Sequence, residues 1–398
     1  MSMDRIVVAG ASLGGLRTAE ALRHEGFAGE LIVIGAEHHF PPYDRPPFSK
    51  EILKGEWEAD RGRLKVIEHL NAELVLGRRI VKLHHALSEV ELDDGSRISF
   101  DGLVIATGAS PRMLASIDAS TPGVFVLRTY DESVALREAL AKSPKVAIIG
   151  AGWIGCEVAA TCRGYGLDVT LIEYFPQPLE RTLGPVMGEW AAEVHRRHGV
   201  DLRLGVGVKG ISGQGAVERV ELEDGSFVEA DVVVLAVGVA PETSWLEGND
   251  FDLENGVLCD ETLLVKGANN VVAVGDVVRW PNAMFNKVMR VEHWSNAVEQ
   301  ASVAAHTLLH GPSEAKSYVA VPYVWSDQYD LKIQYVGTAG AFHSVFEGSI
   351  EDNKFVAGYE ADGMLVGALC VNSPARMIKY KRFISTHPQI EDISANLP

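Results

Sequence analysis

The sequence predicts an α/β chain of two doubly wound parallel-sheet domains followed by an α+β domain, on three observations. RIVVAGASLGG at 5–15 returns as KVAIIGAGWIG at 145–155, each an apolar strand, a glycine turn and a helix start. DGLVIATG at 101–108 pairs with ADVVVLAVG at 230–238, both buried-strand runs that end in glycine. From about Tyr318 the texture changes to YVAVPYVWSDQYDLKIQYVG and KFVAGYEADGMLVGALCV, aromatic and β-branched runs that read as antiparallel strands. Between these landmarks LRTAEALRHEG and CEVAATCRGYG have helical patterning and close on glycine where a C-cap belongs.

Composition narrows the functional classes. A chain of 398 residues exceeds one domain and suggests two or three. Apolar residues make up 47% and charged residues 23%, and no apolar run approaches the roughly 18 residues of a bilayer span, so a soluble protein without a membrane role is expected. The start, MSMDRIVVAG, lacks a signal-peptide core, which points to the cytoplasm. Cys156, Cys162, Cys259 and Cys370 are scattered without a CxxC or CxxxxC pair, against a disulfide framework, a metal site or an iron–sulfur cluster. Any redox centre is then a bound organic cofactor. A net charge of −18 argues against nucleic acid and anionic membranes as partners.

The glycine turns say what the folds bind. The second is a full Gly150-x-Gly152-x-x-Gly155 opening a helix, and the following strand, DVTLIE, ends in Glu173. Such a turn lets backbone amides approach a pyrophosphate, and a carboxylate at the next strand end accepts from ribose hydroxyls while repelling a 2′-phosphate. Tyr174 and Phe175 beside it offer no cation, so NADH rather than NADPH is expected. The first turn is Gly10-x-Ser12-x-x-Gly15, with serine where a glycine usually stands and Glu37 after the strand LIVIG. Taken alone it reads equally as an ordinary strand-to-helix turn; two such turns in one chain call for two dinucleotides.

Further along, PPYDRPPFSKEIL at 41–53 resembles the Y-D-R-P-P-L-S-K fingerprint of FAD-dependent ferredoxin and rubredoxin reductases that feed bacterial oxygenases. NNVVAVGDV at 269–277, RVEHWSNAVEQA at 290–301 and PYVWSDQYDLKIQYVG at 322–337 resemble the same family, so the likeness covers nearly the whole chain. Ser12, Phe48 for leucine and the FPP before Tyr43 depart from the pattern. The resemblance implies two Rossmann-like dinucleotide-binding domains plus a C-terminal α+β domain. An FAD-binding domain at 1–113 and 242–318, an NADH-binding domain at 114–241 and the third domain at 319–398 are expected.

Carried over by resemblance, Gly275 and Asp276 hold the ribityl and pyrophosphate of FAD, and Arg45 and Lys50 are cations lining the flavin. Glu157 is the acidic partner of Lys50, and Trp294 and Trp325 lie against the flavin ring or between it and the docked partner. Lys50, Glu157 and Trp294 are the catalytic candidates. Thr107, Gly108, Arg128, Ile154, Arg181, Val237, Gly238 and His293 complete the expected cofactor contacts. Surface ion pairing is the alternative for the charged residues, domain packing is an equal alternative for Trp325, and His293 reads as a satisfied structural histidine.

The resemblance implies hydride transfer from NADH to FAD, then single electrons to an acidic 2Fe-2S ferredoxin that docks near the flavin edge and supplies an oxygenase. Arg45, Lys50, Arg279, Lys287, Arg290, Lys332 and the run RMIKYKR at 376–382 are candidate docking cations, with Trp280, Met284 and Phe285 as apolar contacts. The absence of cysteine from HHFPPYDRPPFSK removes peroxidase and disulfide-reductase chemistry, and Cys156 reads as a small buried thiol. Two rivals stay open: an NADH oxidase or dehydrogenase that uses oxygen or quinone, and an NADH-responsive flavoprotein with an interaction role. Monomer and homodimer are both allowed.

Overall fold

The computed structural model describes residues 3–395. The first two residues of the expected N-terminal domain and the last three of the C-terminal one lie outside the described residues. The chain divides into two units. One runs to Asp44 and adds Arg63–Ser110 and Ala240–Pro322; the other comprises Arg45–Gly62, Pro111–Val239 and the chain from Tyr323.

In the first unit five strands form a parallel sheet in the order Val271–Ala273, Gly102–Ile105, Arg5–Ala9, Glu30–Gly35, Glu73–Leu76. Val, Ile and Leu dominate these runs because helices and loops cover both faces, and Ile6, Val8, Leu103 and Val272 are fully buried. The helix Leu13–His24 follows the first glycine turn and ends before Gly26, whose φ of +91° an L side chain rarely adopts.

The second unit repeats the plan with Asp201–Leu204, Val169–Glu173, Val146–Ile149, Val232–Leu235 and Val124–Val126, again all parallel. Both sheets therefore place the strand that leads into the glycine turn, Arg5–Ala9 or Val146–Ile149, between the parallel strand that follows it in the chain and Gly102–Ile105 or Val232–Leu235, the arrangement that opens a crevice at the strands' carboxyl ends. The duplication extends further than the glycine turns. Each unit inserts a three-stranded antiparallel meander just before Gly102–Ile105 or Val232–Leu235, with a tight turn at Asp94–Ser96 in one and Asp224–Ser226 in the other. The Ser96 and Ser226 amides donate to the aspartates at 3.0 and 2.9 Å.

From Tyr323 to Val371 the second unit carries five antiparallel strands in the order Tyr323–Gln328, Leu331–Gly337, Met364–Val371, Lys354–Ala361, Ala341–Ser349, and the helix Pro374–Ile384 packs on them. The expected fold class is thus borne out. Trp280 departs from the expectation of a partly exposed contact: it is fully buried in the first unit's core, beside Tyr318, with its indole N–H donating to the Tyr318 carbonyl at 3.2 Å. Its strand carries it inward, so apolar character there serves packing. Replacing Trp280 by alanine removes both the volume and the bond. A loss of about 3–5 kcal/mol is expected, measured as a lowered urea midpoint.

Candidate functional site

Each glycine turn is built against the end of the neighbouring strand. In the first unit the Gly10 amide donates to the Ile34 carbonyl and the Ala106 amide to the Ala9 carbonyl, both at 2.8 Å. In the second, Gly150 to Ile172 and Ala236 to Ile149 repeat these bonds at 2.8 Å. A Cβ on Gly10 would sit 2.2 Å from the Ala106 carbonyl oxygen, and one on Gly150 2.4 Å from that of Ala236. Thr107–Gly108 and Val237–Gly238 follow these alanines, so both expected pairs stand beside the turns. Gly15 and Gly155 close the turns: a Cβ there would lie 1.7 and 1.9 Å from the oxygens of Gly10 and Gly150.

Gly152 differs, since an added Cβ would meet nothing within 4 Å. It is the exposed N-cap of the helix Trp153–Gly164, and no side chain caps that helix. Its opening turn, with Ile154 exposed, therefore presents amides and the positive end of the helix dipole. Ser12 occupies the same position in the first unit, extended at φ −99°, and its side chain does not cap the helix Leu13–His24. Serine thus preserves the open helix end that glycine provides in the second unit.

Both acidic residues stand at or just after the end of the parallel strand that follows their glycine turn. Glu173, at the end of its strand, accepts from the Ala151 amide at 2.6 Å with one oxygen and from the Phe175 amide at 3.0 Å with the other. Tyr174 is 70% exposed beside it, and Arg181 is exposed near the start of the next helix. Glu37 is half-buried after the first unit's second strand.

Around the first unit's fourth crossover the Gly275 amide donates to Gln300 Oε1 at 2.7 Å, which orients the turn that carries Asp276. His293 precedes the helix Trp294–His310. The expectation of a satisfied histidine fails: its Nδ1 is buried without a hydrogen-bond partner, and burial pushes its pKa down to about 4 against the opposing charge of Asp276. An orphaned polar atom beside an aspartate in a dinucleotide fold is what a bound group would complete. The indole N–H of Trp294 donates to Asp44 at 2.5 Å, and burial raises the Asp44 carboxyl above its usual range.

In the second unit the segment Arg45–Lys50 is fixed by backbone contacts. Arg45 donates to the Arg128 carbonyl, Ser133 to the Phe48 carbonyl at 2.8 Å and Thr161 to the Ser49 carbonyl at 2.8 Å. Arg128 is held in turn because its amide and that of Thr129 donate to Glu132, in the capping box that starts the helix Tyr130–Leu140. Lys50 Nζ reaches Glu157 at 2.8 Å, and both residues are only 5% exposed. The Glu157 carboxylate also accepts from the hydroxyls of Ser49 and, at 2.7 Å, Ser326, and Gln328 donates to the latter at 3.0 Å. Trp325 stacks on Tyr323 with centroids 5.8 Å apart.

Ser49, Ser326, Asp44 and Gln300 were not singled out from the sequence. The two serines lie inside the FSK and VWSDQ motifs, the only local signal that marks them. Cys156 is fully buried, with burial raising its thiol pKa far out of the reactive range, and all four cysteines are free. The docking cations change more. Lys50 is buried in its ion pair, Arg279 pairs with Asp252, and Arg290 reaches Glu292 at 2.5 Å. These three are committed to their neighbours.

The pyridine nucleotide-disulphide oxidoreductase model matches residues 4–301, three quarters of the chain, and the reductase C-terminal model matches 323–395. The chain belongs to the pyridine nucleotide-disulphide oxidoreductases. It is an oxidoreductase that uses FAD and NAD(H), and the cradles described above fit both. Rhodocoxin reductase of Rhodococcus erythropolis is 34% identical, covering 96% of this chain and 89% of that protein. The ferredoxin–NAD(+) reductase component of the p-cumate 2,3-dioxygenase system of Pseudomonas putida is also 34% identical, over 98% and 95%. Among solved structures, the covalent putidaredoxin reductase–putidaredoxin complex superposes with a TM-score of 0.92 at 28% identity, covering 99% and 96%.

The Lys50–Glu157 pair gives a stability test. Lys50→Met leaves a buried carboxylate with hydroxyl donors alone, and a loss of about 3–5 kcal/mol is expected. The Lys50→Met/Glu157→Gln double variant should lose less than the sum of the single variants. Chemical unfolding of the four proteins reads the coupling directly.

Proposed function

We propose that this protein is an FAD-dependent NADH:ferredoxin reductase that supplies a bacterial oxygenase with electrons through an acidic 2Fe-2S ferredoxin. The observation that carries the reading is the buried Lys50–Glu157–Ser326 cluster. It joins the Y-D-R-P-P-F-S-K segment, the helix of the second glycine turn and the third-domain strand in one charge-balanced site. Names of relatives as reductase components of ferredoxin systems support it, as does the absence of any cysteine positioned for disulfide exchange among the described residues.

Bound FAD supplies the chemistry that accepts a hydride and releases it as single electrons. The chain's part is binding and electrostatics. Gly10, Ser12, Gly15, Glu37, Gly275 and Asp276, with Thr107 and Gly108, hold FAD. Gly150, Gly152, Gly155 and Glu173, with Ile154, Val237 and Gly238, hold NADH. Lys50 provides a fixed positive charge to balance the negative charge a hydride brings, and Glu157 with its two serines keeps that ammonium in place. Arg45, anchored on the Arg128 carbonyl, adds a second cation, and the bond to Asp44 fixes the plane of the Trp294 ring. The division at 1–113 with 242–318, 114–241 and 319–398 belongs to this reading.

The deciding experiment follows cytochrome c reduction by NADH, with and without a panel of 2Fe-2S ferredoxins, on protein whose yellow spectrum confirms FAD. Ferredoxin-dependent reduction is expected; NADH loss matched by oxygen uptake without ferredoxin would reject the partner. Coenzyme choice gives an independent check. A carboxylate that accepts from ribose hydroxyls contributes roughly 1.5–3 kcal/mol. Glu173→Ala should therefore raise KM for NADH by on the order of ten- to a hundred-fold and narrow the preference over NADPH, measured by steady-state kinetics with both coenzymes.

A further inference from the structure

Outside the dinucleotide cradles, three side chains with metal-ligating atoms converge in the first unit. Glu25 is the C-cap of the helix Leu13–His24, while His306 and His310 stand one turn apart at the end of the helix Trp294–His310. The Glu25 Oε2 lies 3.1 Å from His306 Nδ1 and 3.2 Å from His310 Nε2. The imidazole centroids are 4.5 Å apart, and all three ligand atoms fall within 4.8 Å of one another. Zinc bonds of roughly 2.0–2.1 Å in a tetrahedron put ligand atoms about 3.3 Å apart. Two of the three edges already have that length, and rotation of one exposed imidazole closes the third.

The helix ends also favour a cation here. The carboxylate ends one helix and both imidazoles lie in the last turn and a half of another, so the negative ends of two helix dipoles meet at the cluster. The two helices run parallel, because at their other ends a Cβ on Gly14 would touch Ala297 at 3.9 Å. The cluster therefore sits about 18 Å of helix rise from the phosphate-binding turn.

We propose that Glu25, His306 and His310 form a binding site for a zinc-class divalent ion, with a solvent position completing the coordination. The ion clamps the carboxyl ends of the two helices whose amino ends carry Ser12 and Trp294. It takes no part in electron transfer, and its role is to hold the helix pair together.

The test titrates chelator-treated holoenzyme with Co2+ and then displaces it with Zn2+. One Co2+ per chain with the visible absorption of a four-coordinate site is expected, together with a Zn2+-dependent rise in Tm of roughly 2 °C or more. His306→Gln, His310→Gln and Glu25→Gln should each weaken binding by at least about ten-fold, while NADH oxidation stays that of the unsubstituted enzyme. The His306→Gln/His310→Gln variant, which keeps side chains able to hydrogen-bond Glu25, should lose both the absorption and the Tm rise. No visible absorption, or binding and stabilisation undiminished in the double variant, would overturn the site. A loss of turnover on removing the ion would overturn its reading as a clamp.

Discussion

The second unit depends on one buried carboxylate. Glu157 sits on the helix that the second glycine turn opens, and Lys50, Ser49 and Ser326 reach it from segments more than a hundred residues away in either direction. A buried carboxylate is tolerable only if its oxygens are well supplied with donors, and three groups donate to it, one of them, Ser326, held in turn by Gln328. The same requirement makes the cluster a selector of geometry. The Arg45–Lys50 segment and the third-domain strand have to reach the helix in one register, or a charge is left unpaired. Electrostatic need thus orders a loop that has little regular structure of its own.

The two parallel sheets follow from a second constraint, the close approach of a glycine turn to the neighbouring strand end. The oxygen of Ala106 or Ala236 lies where a side chain at Gly10 or Gly150 would go, so the turn can pass over the crevice only without one. The matching bonds in both units, with the paired meanders and their Asp-Gly-Ser turns, describe one architecture used twice. One difference stands at the helix N-cap. Ser12 stands where Gly152 does and likewise makes no side-chain hydrogen bond that caps its helix.

Much of this was legible in the sequence, and what was hidden shares a cause. Strand runs buried on both faces and glycine turns are local signals, so both parallel sheets, the antiparallel tail and the positions of Glu37 and Glu173 could be read directly. Lys50 and Glu157 were legible only through family motifs, since nothing in their spacing brings them together. Ser49, Ser326 and Asp44 carry their meaning through partners 108, 169 and 250 residues distant. His306 and His310 have helical spacing that sequence can show, but Glu25 is 281 residues from His306. The unpaired Nδ1 of His293 is a property of its surroundings that residue type does not reveal.

Charge counting fails in the same way, and this bears on the proposed partner. A net charge of −18 leaves few free cations, and the basic residues flagged for docking are largely consumed: Arg279 by Asp252 and Glu254, Arg290 by Glu292, and Arg376 and Lys379 by Glu347. A cation paired at such range contributes a dipole to the outside, whose field falls off far faster than that of a charge. Lys287, Lys332 and Arg382 remain exposed, too few to give the steep steering that broad positive patches produce. For the proposed acidic partner, such a surface favours recognition by contact chemistry at short range. Weak long-range steering of this kind lowers the association rate and its dependence on salt, while the departure rate is set by the short-range contacts themselves.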